Sequence, residues 1–484
     1  MRQRVSRVWA ALALGWSTAI VSGEPAVAEQ PLKVALEVSL GSRLGQCRAV
    51  PVQLGPGSRP AFLAAYCADA HVDPWSEMFF YPTDTLKLAL MNADGRVLWR
   101  LDLGRGVVPG MWFCPLFAFD LDGDGVDEIY FVNNTDAEHP LGHRGRCLER
   151  LDARTGQSTG RWPWPAKNSE QSLSHAHRNF ILGGHARGEA VLVTAQGTYE
   201  SMHLQAWTRE MKPRWERTIA ADAPGARGSH MCAISDLDGD GVQEVMWGER
   251  CIELDTGKEL FCADRDSYRG HSDVVQPFTD PRTGQWLVYT CRESDPRAQP
   301  RVVVFDAKGA RVWGDVGEGH MDMGWVARLG DSGAPVAMAI RIGSKGAGPG
   351  GTTRTGVQEF VFNAVTGEKL DLGFSVYRTL PVDLDGDSLH ELVRATDGGL
   401  EVIDRKGHRL ATLGAGGEVA MACKLLDLPG EHVLVAYPDG TLRVWADPRA
   451  KDSAAALARF RHPLYQANRR LFGTGYNLNV LGGL

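Results

Sequence analysis

The sequence predicts an all-β protein: a single β-propeller of seven or eight four-stranded blades with calcium-type loops, followed by a short helical segment. Three observations favour this fold. A nine-residue loop with acidic residues at positions one, three, five and nine occurs three times, at 120–128, 236–244 and 383–391. A looser hairpin pattern around such loops recurs along the chain, and helical periodicity is almost absent before residue 452. Repeated four-stranded units are typical of propellers, because radial packing protects the strand edges.

Each acidic loop joins two short apolar runs, such as 115–119 and 129–132, so we expect antiparallel strands on either side of it. Allowing degenerate loops gives eight such hairpins, at 47–67, 112–133, 177–195, 230–248, 271–290, 320–342, 378–395 and 419–437. A second hairpin lies between them, with a turn such as Asp255-Thr256-Gly257, and two hairpins make one blade. A strand at 32–38 is expected to close the ring, and helices are expected at 452–460 and 463–470 as a C-terminal appendage.

The three acidic loops predict structural calcium sites. Carboxylates at alternate positions of a glycine-containing loop gather oxygen ligands around a hard cation. An EF-hand is excluded, because its twelfth position requires a glutamate and that position is Phe131, Trp247 or Arg394 here. The expected metal-binding sets are Asp120, Asp122, Asp124, Val126 and Glu128; Asp236, Asp238, Asp240, Val242 and Glu244; and Asp383, Asp385, Asp387, Leu389 and Glu391. The alternative is metal-free turns stabilised by Asp side-chain hydrogen bonds.

Residues 1–28 have the features of a signal peptide: three arginines, an apolar run at 8–21 and a small-residue cleavage site ending at Ala28. The propeller is then expected to occupy 29–484 in a secreted or periplasmic protein. The apolar run is too short for a membrane anchor, and no later stretch is long enough to span a bilayer. A formal net charge of −7 gives no case for a nucleic-acid partner.

Propeller geometry separates two kinds of residue by face. The acidic loops join the first and second strands of a blade and lie on one face, while segments that enter the first strand or leave the second lie on the other. These latter segments are rich in Arg, His and Tyr. We therefore expect a basic funnel around the axis of an otherwise acidic protein, which favours a polyanionic ligand.

Several segments resemble polysaccharide lyases. Residues 225–232 (Gly-Ala-Arg-Gly-Ser-His-Met-Cys), 247–257 and 269–273 resemble the propeller ulvan lyases of polysaccharide lyase family 25. More distantly, 98–105 and the Asp-Leu-Asp-Gly-Asp loops resemble the rhamnogalacturonan lyases of family 11. The likeness extends from about residue 95 to the C-terminus. It implies a secreted lyase that cleaves an acidic, rhamnose-containing polysaccharide, with ulvan as the first substrate and rhamnogalacturonan as the alternative. The ulvan lyases have seven blades, one fewer than the hairpin pattern suggests.

The resemblance implies that His, Tyr and Arg side chains eliminate across C4 and C5 of a uronic acid. This reaction needs a cation beside the uronate carboxylate, a base for the C5 proton and an acid for the glycosidic oxygen. A glycoside hydrolase would instead need two opposed carboxylates, and the recognisable acidic clusters lie on the other face. The candidate catalytic residues are Arg227, His230, Tyr268, His271, Tyr199, His143 and His175, and the candidate substrate-binding residues are Arg250, Arg292, His320, Arg341 and Arg378. Arg227→Ala is expected to abolish elimination in a folded protein.

Two other classes of propeller stay open. A calcium-loop propeller that binds polyanionic glycans without catalysis would share the acidic loops, but it would not require His and Tyr beside Arg at the axis. A quinone-dependent dehydrogenase would carry a cofactor motif, and the sequence contains none that we recognise.

Nine cysteines in an exported protein favour disulfides. Cys47 and Cys67, and Cys251 and Cys262, lie symmetrically about hairpin turns, so each pair is expected to face across its hairpin. Zinc is the alternative, with Cys232, Cys251 and Cys262 joined by His230 or His271, although this spacing matches no compact zinc motif.

Overall fold

The computed structural model describes residues 32–165, 172–293, 299–330, 333–349 and 351–484. The expected signal peptide therefore lies outside the described residues. The first sixteen strands are β1 (Lys33–Ser39), β2 (Gln46–Val52), β3 (Ala61–Cys67), β4 (Lys87–Asn92), β5 (Val97–Asp102), β6 (Leu116–Phe119), β7 (Glu128–Asn134), β8 (Arg146–Asp152), β9 (Ser158–Pro163), β10 (Asn179–Ala186), β11 (Glu189–Gln196), β12 (Met202–Trp207), β13 (Pro213–Ile219), β14 (Ile234–Ser235), β15 (Glu244–Trp247) and β16 (Arg250–Glu253).

The remaining strands are β17 (Glu259–Cys262), β18 (Ser272–Thr279), β19 (Trp286–Arg292), β20 (Val302–Asp306), β21 (Arg311–Asp315), β22 (His320–Arg328), β23 (Pro335–Ile342), β24 (Ser344–Gly348), β25 (Gly351–Thr355), β26 (Gln358–Asn363), β27 (Thr379–Val382), β28 (Glu391–Thr396), β29 (Gly399–Ile403), β30 (Arg409–Thr412), β31 (Glu418–Cys423), β32 (His432–Ala436) and β33 (Thr441–Ala446). The helices are α1 (Leu173–His177), α2 (Ala454–Arg461) and α3 (Pro463–Asn468).

These strands form an eight-bladed propeller, which confirms the predicted fold. Blades one to five are β2–β5, β6–β9, β10–β13, β14–β17 and β18–β21. The sixth is β22, β23 and β26, with β24 and β25 inserted as a separate hairpin, and the seventh is β27–β30. The eighth combines β31–β33 with β1, which pairs antiparallel with β33, so the expected closing strand joins the two ends of the chain. The count is eight rather than the seven that the ulvan lyase resemblance implied.

Neighbouring blades are joined through the turns of the second hairpins. Gly257 has φ +71°, and a Cβ at this position would lie 2.6 Å from the Trp215 ring on the outer strand of the preceding blade. The Trp215 indole also donates a hydrogen bond of 2.8 Å to the Leu254 carbonyl beside the turn. The same arrangement recurs for Trp99 over Gly156 and for Trp313 over Gly367. These Thr-Gly turns therefore combine a left-handed backbone with a flat surface against which the previous blade packs.

The C-terminal segment is more than the predicted appendage. Ser453 and His462 cap the two expected helices by accepting hydrogen bonds from main-chain N–H groups. Beyond α3 the chain forms two 3₁₀ turns, Arg469–Gly473 and Asn477–Gly483, which contact inner strands of several blades. Phe472, Val480 and Leu481 are buried in the main hydrophobic core and Leu471 in a second one, so the tail forms part of the propeller interior. Among the described helices, none has the length and apolar character needed to cross a bilayer.

The expected disulfides are not formed. All nine cysteines belong to the described ranges, and each is a free thiol. Cys47 lies opposite Tyr66, the neighbour of Cys67. Because adjacent residues of a strand point to opposite faces, the two thiols cannot meet, and the same one-residue offset separates Cys251 from Cys262. In the described ranges no cysteine joins a candidate metal-ligand cluster either.

Candidate active site

A cavity of about 500 Å³ lies on the propeller axis. It opens on the face where chain segments enter the inner strands, opposite the acidic loops. Ionisable and aromatic side chains in its wall include His71, Asp73, Asp273, Asp322, Lys345, Arg354 and Tyr476. They come from the first, fifth and sixth blades and from the C-terminal tail, so segments far apart in the sequence assemble the cavity.

Histidines and carboxylates cluster around Asp273, behind the part of the cavity wall that this residue forms. The Nδ1 atom of His230 lies 2.9 Å from Oδ1 of Asp273, and the rings of His230 and His271 are 5.0 Å apart. His271 contacts Glu293 closely, and Nε2 of His320 lies 2.9 Å from Oε1 of Glu293. Three of these side chains, those of His230, His271 and Asp273, bring ligand atoms within 4.8 Å of one another. Two imidazoles and a carboxylate at this spacing could hold a cation.

The electrostatics of this cluster fit a cation. Burial lowers the pKa of His230 and of His271 to about 3, so both rings are neutral at pH 7 and can offer a nitrogen lone pair. Burial, followed by repulsion from Glu293 and Asp322, raises the pKa of Asp273 well above its usual range. Four buried atoms of this cluster make no hydrogen bond to the described residues: Nδ1 of His230, Nε2 of His271 and both side-chain oxygens of Asp273. A bound cation would satisfy these buried atoms.

His320 and Glu293 form an ion pair beside this cluster. Burial lowers the pKa of His320, but the Glu293 carboxylate outweighs burial and the net shift is upward. The Glu293 pKa is correspondingly lowered, because the neighbouring histidines outweigh the effect of its burial. We assign the positive charge to His320, since His271 remains neutral. Glu293 therefore carries a negative charge next to the candidate cation ligands.

Asp273 and Asp322 reach the cavity because each occupies a β-bulge. In β18 the pairing shifts between Ser272 and Val274, and in β22 it shifts between Met321 and Met323. The extra residue is an aspartate in both strands. Bulges re-aim a side chain that regular alternation would place elsewhere, and they occur often beside active sites. Adjacent blades thus present carboxylates at equivalent positions.

The hairpin inserted in the sixth blade brings two cations to the cavity. Lys345 of β24 and Arg354 of β25 lie directly opposite each other, an arrangement that is repulsive unless an anion lies between them. Asp322 supplies that anion: Nζ of Lys345 lies 2.9 Å from its Oδ1, and Arg354 contacts its other oxygen. Burial lowers the pKa of Lys345, but Tyr476 and Asp322 outweigh burial and the net shift is upward, so the ammonium stays charged.

Two tyrosines complete the site. The hydroxyl of Tyr199 lies 3.2 Å from Nε2 of His230, and its ring packs edge-on against His271 at 4.3 Å. The Arg178 guanidinium lies 5.4 Å from the Tyr199 ring centroid. Tyr476 comes from the tail, with its ring 5.2 Å from that of His230. Burial raises the pKa of both phenols, so they remain protonated at pH 7 and can donate protons.

The structure brings together some of the candidate residues and separates others. Tyr199, His230, His271 and His320 lie together behind the cavity wall, and Arg378 lines the axial cavity itself. The remaining guanidinium groups are bound to other parts of the protein: Arg227 donates to the carbonyls of Ala220, Ala223 and Gly225; Arg250 to Ala226 and Glu259; Arg292 to Glu249 and Asp264; and Arg341 to Glu318.

The other aromatic candidates lie around the cluster. The Tyr268 hydroxyl donates to the His271 carbonyl, and the Tyr268 ring lies beneath the guanidinium of Arg292. His175 accepts a hydrogen bond from the Glu200 N–H, and His143 stacks on His177 at 5.8 Å. Sequence reasoning missed His71, Asp73, Asp273, Asp322 and Tyr476. A signal was present, because the tripeptide His-x-Asp occurs at 71–73, 271–273 and 320–322, and each copy contributes to the cavity or its wall cluster.

The three acidic loops have the geometry of cation sites. In the second loop Asp236, Asp238, Asp240 and Glu244 converge, and three aspartates converge in each of the other two loops. Burial raises the pKa of Glu244 to about 8 and that of Glu128 to about 7, with repulsion from neighbouring aspartates as a further cause. The aspartates also accept hydrogen bonds from main-chain N–H groups of the loop, as metal-free turns would. Because each carboxylate has two oxygens, both functions are compatible, and a cation would relieve the repulsion.

Chelation is expected to lower the melting temperature by about 5 °C or more, because ligand that binds the folded state stabilises it by mass action. Asp236→Asn should reduce the difference between calcium and chelator, while Asp397→Asn, at an exposed loop position, should leave it unchanged. Differential scanning calorimetry in calcium and in chelator measures both effects. A melting temperature that is the same in the two buffers would contradict the calcium assignment.

The curated proteins that match this chain by sequence are rhamnogalacturonan lyases. No protein-family model matches the chain. It is 25% identical over 277 residues to the rhamnogalacturonan exolyase YesX of Bacillus subtilis (strain 168), a match covering 46% of this chain and 45% of the relative. It is 27% identical over 266 residues to the rhamnogalacturonan endolyase YesW of the same organism, covering 47% and 42%. The chain thus spans a little under half the length of the curated relatives it matches.

Solved structures show the same fold. The chain superposes on the exotype rhamnogalacturonan lyase YesX with a TM-score of 0.75 and 19% identity, over 91% of this chain and 80% of that one. It superposes on the Bacillus licheniformis rhamnogalacturonan lyase PL11 with a TM-score of 0.74 and 19% identity, over 93% and 81%. The eight-bladed architecture is therefore shared over nearly the whole chain.

Proposed function

We propose that this protein is an exported polysaccharide lyase that cleaves a rhamnogalacturonan-type polysaccharide by β-elimination and leaves 4,5-unsaturated uronate ends. The observation that carries the proposal is the axial cavity together with the cluster behind its wall, where two neutral histidines, buried carboxylates, paired cations and protonated tyrosines lie close together. A non-catalytic propeller that binds glycans would need cations at its axis, but it would not need neutral imidazoles packed against phenols.

The substrate is inferred from the relatives. The matched proteins are named rhamnogalacturonan lyases, which favours the second of the two sequence-based substrate assignments over ulvan. Both polymers combine a uronic acid with rhamnose, so the acidic, rhamnose-containing substrate class is retained. The expected partner is an acidic polysaccharide outside the cytoplasm.

Elimination requires the C5 proton beside the uronate carboxylate to become acidic. Lys345 and Arg354 line the cavity and would bind that carboxylate, because their charges are retained despite burial. A cation held by His230, His271 and Asp273 would supply further charge neutralisation when bound. Preorganised positive charge of this kind stabilises the developing enolate with no reorganisation during the reaction.

Proton transfer uses the neutral side chains of the site. His71 lines the cavity, and burial lowers its pKa to about 4, so its imidazole is neutral at pH 7 and is the candidate proton acceptor. Tyr476 lines the cavity with a protonated hydroxyl and would donate to the departing glycosidic oxygen. Tyr199 lies behind it against His230 and holds that ring in place.

The test is a continuous assay of ultraviolet absorbance with rhamnogalacturonan, ulvan and homogalacturonan as parallel substrates. Rhamnogalacturonan is expected to give the fastest rise, because an unsaturated uronate absorbs where the saturated polymer does not. Reducing ends formed without absorbance would indicate hydrolysis. Binding to the polymer with neither product would support the non-catalytic scaffold. A faster reaction with ulvan would return the assignment to the family 25 resemblance.

A further inference from the structure

A second cavity, of about 550 Å³, lies on the opposite side of the propeller from the candidate active site. It is formed between the C-terminal segment around α3 and the first hairpins of the second to fifth blades, on the face that carries the acidic loops. Its side-chain wall includes Phe119, His185, Gln243, Trp286, His462 and Gln466. None of these residues takes part in the reaction proposed above.

Two aromatic pairs give the cavity flat apolar surfaces. Trp286 lies edge-to-face with His462 at 5.8 Å, and Phe119 lies edge-to-face with His185 at 5.5 Å. Trp286 is half-buried, and its indole N–H has no hydrogen-bond partner in the described ranges, unlike the indoles that join neighbouring blades. A half-exposed aromatic ring with a free donor is suited to a ligand that has both an apolar face and hydroxyl groups.

Amide groups in the wall retain unused hydrogen-bonding capacity. The side-chain oxygen of Gln243 accepts from the His185 N–H at 2.8 Å, which leaves its NH₂ group available. The NH₂ group of Gln466 donates to the Phe460 carbonyl, which leaves its oxygen available. Nδ1 of His462 caps α3 and leaves Nε2 available. The cavity thus offers both donors and acceptors around its aromatic surface.

The charge of the cavity disfavours an acidic ligand. Asp236 of the second acidic loop is in the wall, and Asp238 and Asp240 converge with it, so the local charge is negative. The lining cation Arg470 is already bound, with Nη1 2.7 Å from Asp127 and 2.8 Å from the Ala118 carbonyl. A uronate would meet negative charge here with no free cation among the described lining residues, whereas an uncharged sugar would not.

We propose that this cavity is a second carbohydrate site that binds a neutral pyranose unit, with Trp286 under the sugar ring and Gln243 and Gln466 on its hydroxyl groups. The size of the cavity suits one or two sugar rings. Because it lies on the face opposite the axial cavity, it can hold a neutral sugar without competing with a chain in the axial site. The assignment does not depend on elimination chemistry.

The test is a ligand-observed NMR titration of the full chain with L-rhamnose, with D-galacturonate as the acidic comparison. Trp286→Ala is expected to weaken L-rhamnose binding about tenfold. Trp162→Ala, which alters a half-buried tryptophan on the outer strand of the second blade, should leave it unchanged. Ala467→Leu, which adds bulk to the cavity wall, should block binding without removing an aromatic ring. Near-ultraviolet circular dichroism reports whether each variant is folded.

A variant of the axial cavity separates the two sites. L-rhamnose binding that survives Lys345→Met but is weakened in Trp286→Ala and blocked in Ala467→Leu supports the second site, whether or not the protein proves to be a lyase. Failure of L-rhamnose to bind wild-type protein would overturn the proposal. So would equal binding of D-galacturonate, or binding that neither cavity variant changes.

Discussion

Replacing Lys345 by methionine is expected to lower the kcat for elimination about 10²- to 10³-fold, the usual cost of losing one preorganised electrostatic contact in a transition state. The ammonium is charged, lines the axial cavity and lies 2.9 Å from Asp322. Asp322 keeps Arg354 as a partner, so the substitution leaves no unpaired buried carboxylate and the fold should persist. Initial rates on rhamnogalacturonan measure the loss, and circular dichroism monitors the fold.

The matched control is Lys369→Met. Lys369 follows the last strand of the same blade and pairs with Asp315 at 3.2 Å, but it is exposed and outside the cavity wall. Its loss should leave kcat unchanged. Methyl-esterified substrate provides a second control. Lys345→Met should lower kcat by a smaller factor on this substrate, because the uronate charge has already been removed. Near-normal turnover by Lys345→Met on the unesterified polymer would remove this residue from the carboxylate-binding role.

Much of the fold could be predicted because its signals are local. Acidic residues at alternating loop positions, glycine turns and short apolar runs each specify a hairpin within a few residues, and their repetition specifies the propeller. The closing strand was also predictable, since a leftover strand at one end of the chain completes the last blade. What local pattern did not predict is the path of the tail. Its 3₁₀ turns carry no strong periodicity, and their position depends on the space left inside the ring.

The candidate site was predictable only in part, because sequence does not reveal where a long polar side chain ends. Tyr199, His230 and His271 were named from the faces of the blades, and the structure brings them together. Arg227 and Arg292 were named by the same argument, yet their guanidinium groups are buried against main-chain carbonyls and carboxylates. A guanidinium has five donors, so it satisfies internal acceptors as readily as a substrate.

Asp273 and Asp322 were missed for a different reason. Regular alternation assigns every second residue of a strand to one face, and a bulge breaks that rule by one residue. Two of the three His-x-Asp tripeptides, at 271–273 and 320–322, lie at the start of the inner strands that carry these bulges, whereas the copy at 71–73 lies in the loop after β3. The cysteine pairing was wrong for a related reason. Cys47 and Cys67 are symmetric about their turn in the sequence, but the strand register is offset by one residue and keeps the thiols apart.

The largest effect on stability is expected in the tail, for Asn468→Leu. The inner strand of the fourth blade contains only two described residues, Ile234–Ser235, and the tail supports its free edge. The Asn468 amide accepts from the Ile234 N–H at 2.9 Å and donates to the Ile234 carbonyl at 2.6 Å. Leucine has a similar volume but leaves both buried main-chain groups without partners, at about 1–3 kcal/mol each. We expect unfolding in urea to lose about 3–5 kcal/mol, whereas Arg461→Ala, at an exposed position of α2, should lose less than about 0.5 kcal/mol.

The tail residues that stabilise the inner strand of the fourth blade also bind the main chain next to the candidate site. The Cys232 N–H donates to Asn477 at 3.0 Å, and the Tyr476 N–H donates to the His230 carbonyl at 2.7 Å. The tail therefore binds residues 230, 232 and 234 in turn, as a neighbouring strand would, and this spacing holds the His230 imidazole at the cavity wall. If the segment opens as one unit, Asn468→Leu combined with Asn477→Leu should cost less than the sum of the two single changes. Strict additivity in urea unfolding would show that each amide supports its own residue and that the tail does not act as a strand.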